Sequence, residues 1–256
     1  GYLDYTEILS TEVNKVKGVE EIHGGDLADN VILGGASSVT FFGEDGNDLV
    51  TAAYGASHTI DGGDGTDTID YSNLTDRVVY DATAGTMEKY QAATLEGTDS
   101  INQVEFITGT DFNDIMVGGI GTDTFIGGLG QDDLQGGDGA DYLDGGDGVD
   151  VISGGDGDDV IYGGAGDDQL TGGAGADTFY SGDGVDTIDG NAGIDLVDYS
   201  AELHAISVTI EFGTFQVELD ADDDGIFDGS ASELIDELSN IEAIRGTGFD
   251  DVLIGQ

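Results

Sequence analysis

The chain of 256 residues carries 55 acidic and 5 basic side chains, a formal charge of -50, with 46 glycines and no cysteine, proline or tryptophan. So large an excess of negative charge repels itself unless cations bind at defined places, and it argues against nucleic acid or anionic membrane as partners, because the basic residues are only Lys15, Lys17, Arg77, Lys89 and Arg245. With no thiol on offer, the available metal chemistry is that of hard oxygen ligands, which points to calcium rather than zinc.

The chain starts at Gly1, shows no signal peptide and has no apolar run long enough to span a bilayer, so it reads as an excised piece of a longer polypeptide. Residues 1–24 read as the end of a preceding insert or cap, closing on Val19-Glu20-Glu21-Ile22. Residues 25–70 carry a degenerate repeat of nine, from Gly25 to the unit Gly62-Gly-Asp-Gly-Thr-Asp67-Thr-Ile69-Asp. Its apolar eighth positions fall at Ile32, Phe41, Val50 and Ile69, and its sixth positions read Asn30, Val39, Asp48, Ser57 and Asp67, with one inserted residue near His58.

Residues 71–108 interrupt the pattern. Arg77-Val-Val-Tyr-Asp81 and a turn around Gly85 predict a hairpin, and Val104-Glu105-Phe-Ile107 closes the insert. From Gly109 to Asp198 the nine-residue unit then runs unbroken. Its sixth position is Asp114, Asp123, Asp132, Asp141, Asp150, Asp159, Asp168, Asp177, Asp186 and Asp195. Its eighth is Met116, Phe125, Leu134, Leu143, Ile152, Ile161, Leu170, Phe179, Ile188 and Val197, all apolar. Each unit is a six-residue glycine-rich turn followed by three residues of strand. With one inward side chain per unit, no repeat buries its own core; two units make a coil whose inward residues stack on those of neighbouring coils. At roughly 1.5 to 3 kcal/mol per buried Leu or Ile, so thin a core does not outweigh the ordering entropy of the turns, and bound metal must supply the remainder.

Residues 199–245 form a second insert. It begins, like the first, on an Asp-Tyr-Ser step (Asp70-Tyr71-Ser72 and Asp198-Tyr199-Ser200) and closes on Ile241-Glu242-Ala-Ile244. A hairpin is predicted from 206–212 and 215–219 around Gly213-Thr214, and a short capped helix from Ser232 through Leu238. Between them, Asp220, Asp222, Asp224, Ile226 and Asp228 have the spacing of an EF-hand-like calcium loop. Position twelve is Ala231, however, so either Glu233 reaches round as the last ligand or the stretch is an acidic hairpin tail. Residues 246–256 open a further, truncated roll, with Asp251 at its sixth position. All five basic residues lie outside the repeats; they either solvate the inserts, or Lys89 or Arg245 pairs with roll carboxylates at the seams.

The units match the Gly-Gly-x-Gly-x-Asp-x-U-x signature, and the chain resembles the RTX, or haemolysin-type calcium-binding, repeat proteins, with residues 109–198 matching throughout. The resemblance implies an all-β fold, a right-handed parallel β-roll in two blocks, joined and capped by hairpin and short-helix inserts. It also implies calcium between successive turns, held by the sixth-position aspartates above and by turn carbonyls of Gly119, Gly121, Gly128, Gly130, Gly137, Gly139, Gly146, Gly148, Gly155, Gly157, Gly164, Gly166, Gly173, Gly175, Gly182 and Gly184. In the first block only the side of Asn30, Asp48 and Asp67 is expected to hold metal, and the side of Val39 and Ser57 is not. No nucleophile, base or metalloprotease motif stands out; His23, His58 and His204 are scattered, so no enzymatic role is expected. Tyr142, Tyr162 and Tyr180 fall at outward positions. Two roles remain open. One is a module of a secreted protein that stays extended for type I export, folds on meeting calcium outside the cell and contacts adjoining domains of its own polypeptide. The other is a surface-layer or adhesin spacer.

Overall fold

The computed structural model describes residues 2–4, 21–35, 37–201, 205–211, 214–219 and 235–254. The EF-hand-like loop, 220–233, lies outside them. Among the described residues every regular element is a β-strand, and the strands form a 16-stranded and a 10-stranded sheet facing each other across one core. Successive strands of the main roll alternate between the sheets, and pairing within each sheet is parallel with a step of two units: Leu134 pairs Ile152 and Leu170 pairs Ile188 in the larger sheet, Leu143 pairs Ile161 in the smaller. Strand residues alternate inward and outward, which brings every eighth-position side chain from Met116 to Val197 to 0–1% exposure in two stacked lines. The roll is thus an all-β parallel solenoid.

Glycine is required where coils approach. Gly139 has φ of +146°, and a Cβ there would overlap the carbonyl of Gly121 in the coil before it. The three tyrosines stack along the outer face of the smaller sheet, with ring centroids 5.2 Å apart for Tyr142 and Tyr162 and 4.4 Å for Tyr162 and Tyr180.

Each insert is a three-stranded antiparallel meander spliced into the larger sheet only. Strands Val78–Asp81, Thr86–Gln91 and Thr94–Asn102 bridge Thr59–Asp61 to Ile115–Val117; strands Ile206–Glu211, Thr214–Leu219 and Ile235–Ser239 bridge Thr187–Gly193 to Val252–Ile254. The smaller sheet passes through, from Thr68–Asp70 to Phe106–Thr108 to Thr124–Gly130. The helix expected over 232–238 is not formed in its described part: Ile235–Ser239 is a strand hydrogen-bonded between Thr187–Gly193 and Thr214–Leu219. The i, i+3 spacing of Ile235 and Leu238 suits a helix, but strand edges on both sides supply ladder partners that a helix would leave unpaired.

In the first block Phe41, Val50 and Ile69 lie in the core as expected, while the positions assigned to Asn30, Ile32 and Ser57 are one residue out. Val31 pairs Val50, so Val31 rather than Ile32 points into the core, at 7% exposure, and Asp29 rather than Asn30 aligns with Asp48. On the opposite side Thr40 pairs Thr59, so His58 rather than Ser57 stands opposite Val39. Coils here span nineteen residues, as the Asp29–Asp48–Asp67 spacing shows, and each has one additional residue in its first half: Val39 comes ten residues after Asp29 and His58 ten after Asp48.

Candidate metal centre

The sixth-position carboxylates form two columns, one before the strands of each sheet. Along them, each aspartate amide donates to Oδ1 of the aspartate one coil on: Asp114 to Asp132, 2.7 Å; Asp132 to Asp150, 2.8 Å; Asp150 to Asp168, 2.8 Å; Asp168 to Asp186, 2.9 Å; and on the other side Asp123 to Asp141, 2.8 Å; Asp141 to Asp159, 2.8 Å; Asp159 to Asp177, 2.9 Å; Asp177 to Asp195, 3.0 Å. Oδ1 is therefore spoken for. The second oxygen is not: among the described residues, Oδ2 of Asp48, Asp67, Asp132, Asp141, Asp150, Asp159, Asp168, Asp177, Asp186 and Asp195 is buried without a hydrogen-bond donor.

A buried anionic oxygen with no partner is among the costliest features a fold can carry. Loss of solvation pushes the carboxyls up from their ordinary 3.8, to about 8 for Asp132 and Asp186, about 7 for Asp159 and Asp168, and about 6 for Asp48, Asp114 and Asp177. Where the turn opens on glycine, backbone oxygen lies beside the unpartnered atom. A Cβ built on Gly163 would sit 2.7 Å from Asp168 Oδ2 and 2.5 Å from the carbonyl oxygen of Ser181, the first position of the next turn on that side. No group of three or more His, Cys, Asp or Glu converges among the described residues, so an ion between turns would complete its shell from such carbonyls. The donor set, one unpartnered carboxylate oxygen and neighbouring carbonyls, suits a hard cation.

These observations reach the matching family. An RTX calcium-binding nonapeptide repeat model, described as four copies, matches residues 24–55, 59–78, 96–134, 126–161, 135–170 and 162–197, more than half of the chain. The chain belongs to the RTX calcium-binding repeat family. RTX repeats are calcium-binding structural modules typical of secreted proteins, and they are not themselves catalytic. No curated protein matches the chain. Among solved structures it is similar to the extracellular lipase LipA from Serratia marcescens, at 16% identity and a TM-score of 0.29, covering 89% of this chain and 38% of the lipase. The chain thus spans well under half the length of that lipase. No helix among the described residues is long and apolar enough to cross a membrane.

Not every expected RTX position stands alike. Asp114 and Asp251, in the first turn after each insert, already have both oxygens engaged by a threonine: Thr110 N to Asp114 Oδ2, 2.6 Å, and Oγ1 to Oδ1, 3.1 Å; Thr247 N to Asp251 Oδ2, 2.9 Å, and Oγ1 to Oδ1, 2.7 Å. Asp123 Oδ2 accepts from Gly119 N at 3.0 Å. The carbonyls expected as ligands were those of second and fourth positions; the first-position carbonyls are the ones beside the unpartnered oxygens. The second-position carbonyl of Gly119 accepts the Asp138 amide at 2.8 Å.

Two glutamate members of the columns escaped sequence reasoning. Asp67 N donates to Glu105 Oε2 at 3.0 Å and Asp195 N to Glu242 Oε2 at 2.9 Å, so glutamates continue the column at both seams. There the turn has three residues, Gln103-Val-Glu105 and Asn240-Ile-Glu242, instead of six, and the longer side chain makes up the reach. Gln103 and Asn240 both take φ of +50° and present their carbonyls where the first glycine's would be, against Gly62 with Asp67 and Gly190 with Asp195. The recurring Val/Ile-Glu before each roll was the available signal. Tyr71 and Tyr199 of the Asp-Tyr-Ser steps are buried and donate to Asp99 Oδ2, 3.0 Å, and Asp236 Oδ2, 2.7 Å. Arg245 pairs with Asp198, and Lys89 with Asp99 at 2.8 Å.

Proposed function

We propose that this RTX module is a calcium-triggered folding segment of an exported protein. Its bare carboxylate columns keep it extended before export through a type I channel, and calcium outside the cell closes the turns onto one another. The ligands would be the aspartates whose Oδ2 is unpartnered, Asp48 and Asp67 in the first block and Asp132 to Asp195 in the main roll, joined by Asp29 and, at the seams, by Glu105 and Glu242. First-position carbonyls such as that of Ser181 would complete the shell. Bound calcium supplies the positive charge that lets stacked carboxylates stay ionised while buried; the chain supplies the stacking, the turn geometry and the exclusion of water.

One observation carries this reading: ten buried carboxylate oxygens in register, none with a donor among the described residues. A net charge of -50 works in the same direction, since a chain so charged expands unless counter-ions bind. In the first block the metal would lie on the Asp29, Asp48, Asp67 side alone, because the opposite column offers Val39 and His58. Calorimetric titration of the whole chain, with Asp159→Asn as control, tests the assignment. Loss of calcium stoichiometry in the variant supports it, and unchanged stoichiometry contradicts it. The stacked tyrosines on the outer face favour a second reading, in which the folded module also serves as a spacer or contact surface of an adhesin or surface layer, next to adjoining domains of its own polypeptide.

A further inference from the structure

We infer that at the first seam the place of a calcium ion is taken by the chain's own ammonium group, that of Lys89, so that this joint closes without metal. Lys89 and Asp99 are both fully buried. Nζ donates to Asp99 Oδ1 at 2.8 Å and to the carbonyls of Ala56 at 3.2 Å and Ala53 at 3.4 Å. Those three oxygens are of the kinds the roll offers a cation elsewhere, a sixth-position carboxylate and backbone carbonyls, with the carbonyls here supplied by the turn before the carboxylate where the main roll uses the turn after it. Asp99 occupies the sixth position of its column, because Ser100 pairs Thr59 and the amide of His58 donates to Asp99 Oδ1 at 2.8 Å, as the aspartate amides do along the main roll. Tyr71 satisfies the remaining oxygen at 3.0 Å. No atom of Asp99 is left wanting a cation.

The other members of this column fit the same account. Where the main roll has aspartates, this column has Val39 and His58, and the Val39 amide donates to His58 Nδ1 at 3.3 Å in the manner of a carboxylate Oδ1. The second seam shows what the first replaced. Its strands superpose in register, with Asp236 standing for Asp99, Tyr199 for Tyr71 and Leu219 at the position of Lys89. There the preceding member of the column is Asp186, whose Oδ2 has no donor. Lysine accompanies the column whose earlier members, Val39 and His58, are not carboxylates, and leucine the column that keeps them. A buried ion pair is favourable only when its remaining valences are met, as they are here.

The consequence is a metal-independent island at the joint of the two blocks. It rests on calcium closing the other turns, and hydrogen exchange of the whole chain in chelator, read by mass spectrometry, separates the two claims. Peptides covering 56–61 and 86–102 should exchange at least ten-fold more slowly than peptides from 151–188. Lys89→Met should abolish that difference while leaving calcium stoichiometry unchanged, and Lys89→Met with Asp99→Asn, which removes both charges at constant shape, should restore most of it. Equal exchange of the two regions in the parent chain while both are unprotected would overturn the inference, as would protection in Lys89→Met equal to the parent's, or a double variant no better than the single one. Protection of 151–188 in chelator would instead count against the calcium reading of the main roll and leave that of the joint standing on the variants.

Discussion

The two halves of the larger-sheet column, Val39–His58–Asp99, which ends on the last strand of the first insert, and Asp114 to Asp236 beyond that insert, stack coils of the same kind by opposite means. In the later half every turn adds a carboxylate, and from Asp132 to Asp186 each leaves one oxygen buried and unpartnered. In the earlier half, position six is an apolar side chain, then an imidazole, then a carboxylate already neutralised by Lys89. The backbone ladder is common to both, so parallel stacking as such does not demand metal. What demands it is the choice of aspartate at position six, and the contrast indicates where calcium control begins and ends along the chain.

Core truncation should give the largest effect. Ile152→Ala removes a fully buried side chain from the inner line and should cost about 2–5 kcal/mol in saturating calcium, read from thermal or denaturant unfolding; a loss below about 0.5 kcal/mol would mean the stack does not rely on that line. Next comes Gly163→Ala, whose Cβ would intrude between Asp168 Oδ2 and the Ser181 carbonyl; a cost of about 1–3 kcal/mol, with one calcium fewer by calorimetry, is expected. The same change at Gly121, where a Cβ meets nothing within 4 Å, should leave calcium binding unaltered.

Without calcium, the carboxyls raised to between about 6 and about 8 hold protons more tightly in the folded roll than in the unfolded chain, where they titrate near 3.8. Stability of the metal-free roll is therefore greatest at low pH and is lost as pH rises through the window from about 4 to about 8. Circular dichroism in chelator at low protein concentration should show β-structure growing on acidification, and a roll that instead loses structure over that window would contradict the assignment. With calcium present, protons compete for the same oxygens, and calcium affinity should fall over the same range.

The smallest effect tests the register of the first block. Asn30→Ala should change stability by no more than about 0.5 kcal/mol, whereas Asp29→Asn should lower calcium uptake on the side of Asp48. The reverse pattern would restore the register that the sequence alone suggests.

The main roll was legible because two strict lines, aspartate at six and an apolar residue at eight, fix both the coil and its register. The first block was legible in kind and one residue out at its first unit: Asp29 and Asn30 are neighbours of similar chemistry, and the run Val31-Ile32-Leu33 offers two inward phases, so only the pairing of Val31 with Val50 decides. Glu105 and Glu242 were hidden by their shortened turns, which take them out of the period of nine. The strand at Ile235–Ser239 was misread as helix because its fate is set by strands far away in sequence. Lys89 was open to two readings for a similar reason, since the turn it enters, 52–58, lies more than thirty residues before it.

The most direct test of the whole account is a far-UV circular dichroism titration of the complete chain, at neutral pH, from chelator into calcium. The expected course is a chain with little β-structure in chelator that gains the spectrum of the roll cooperatively as calcium is added. A full β spectrum already present in chelator, unchanged by calcium, would show that the buried oxygens of Asp132 to Asp195 need no cation, and the account would fail.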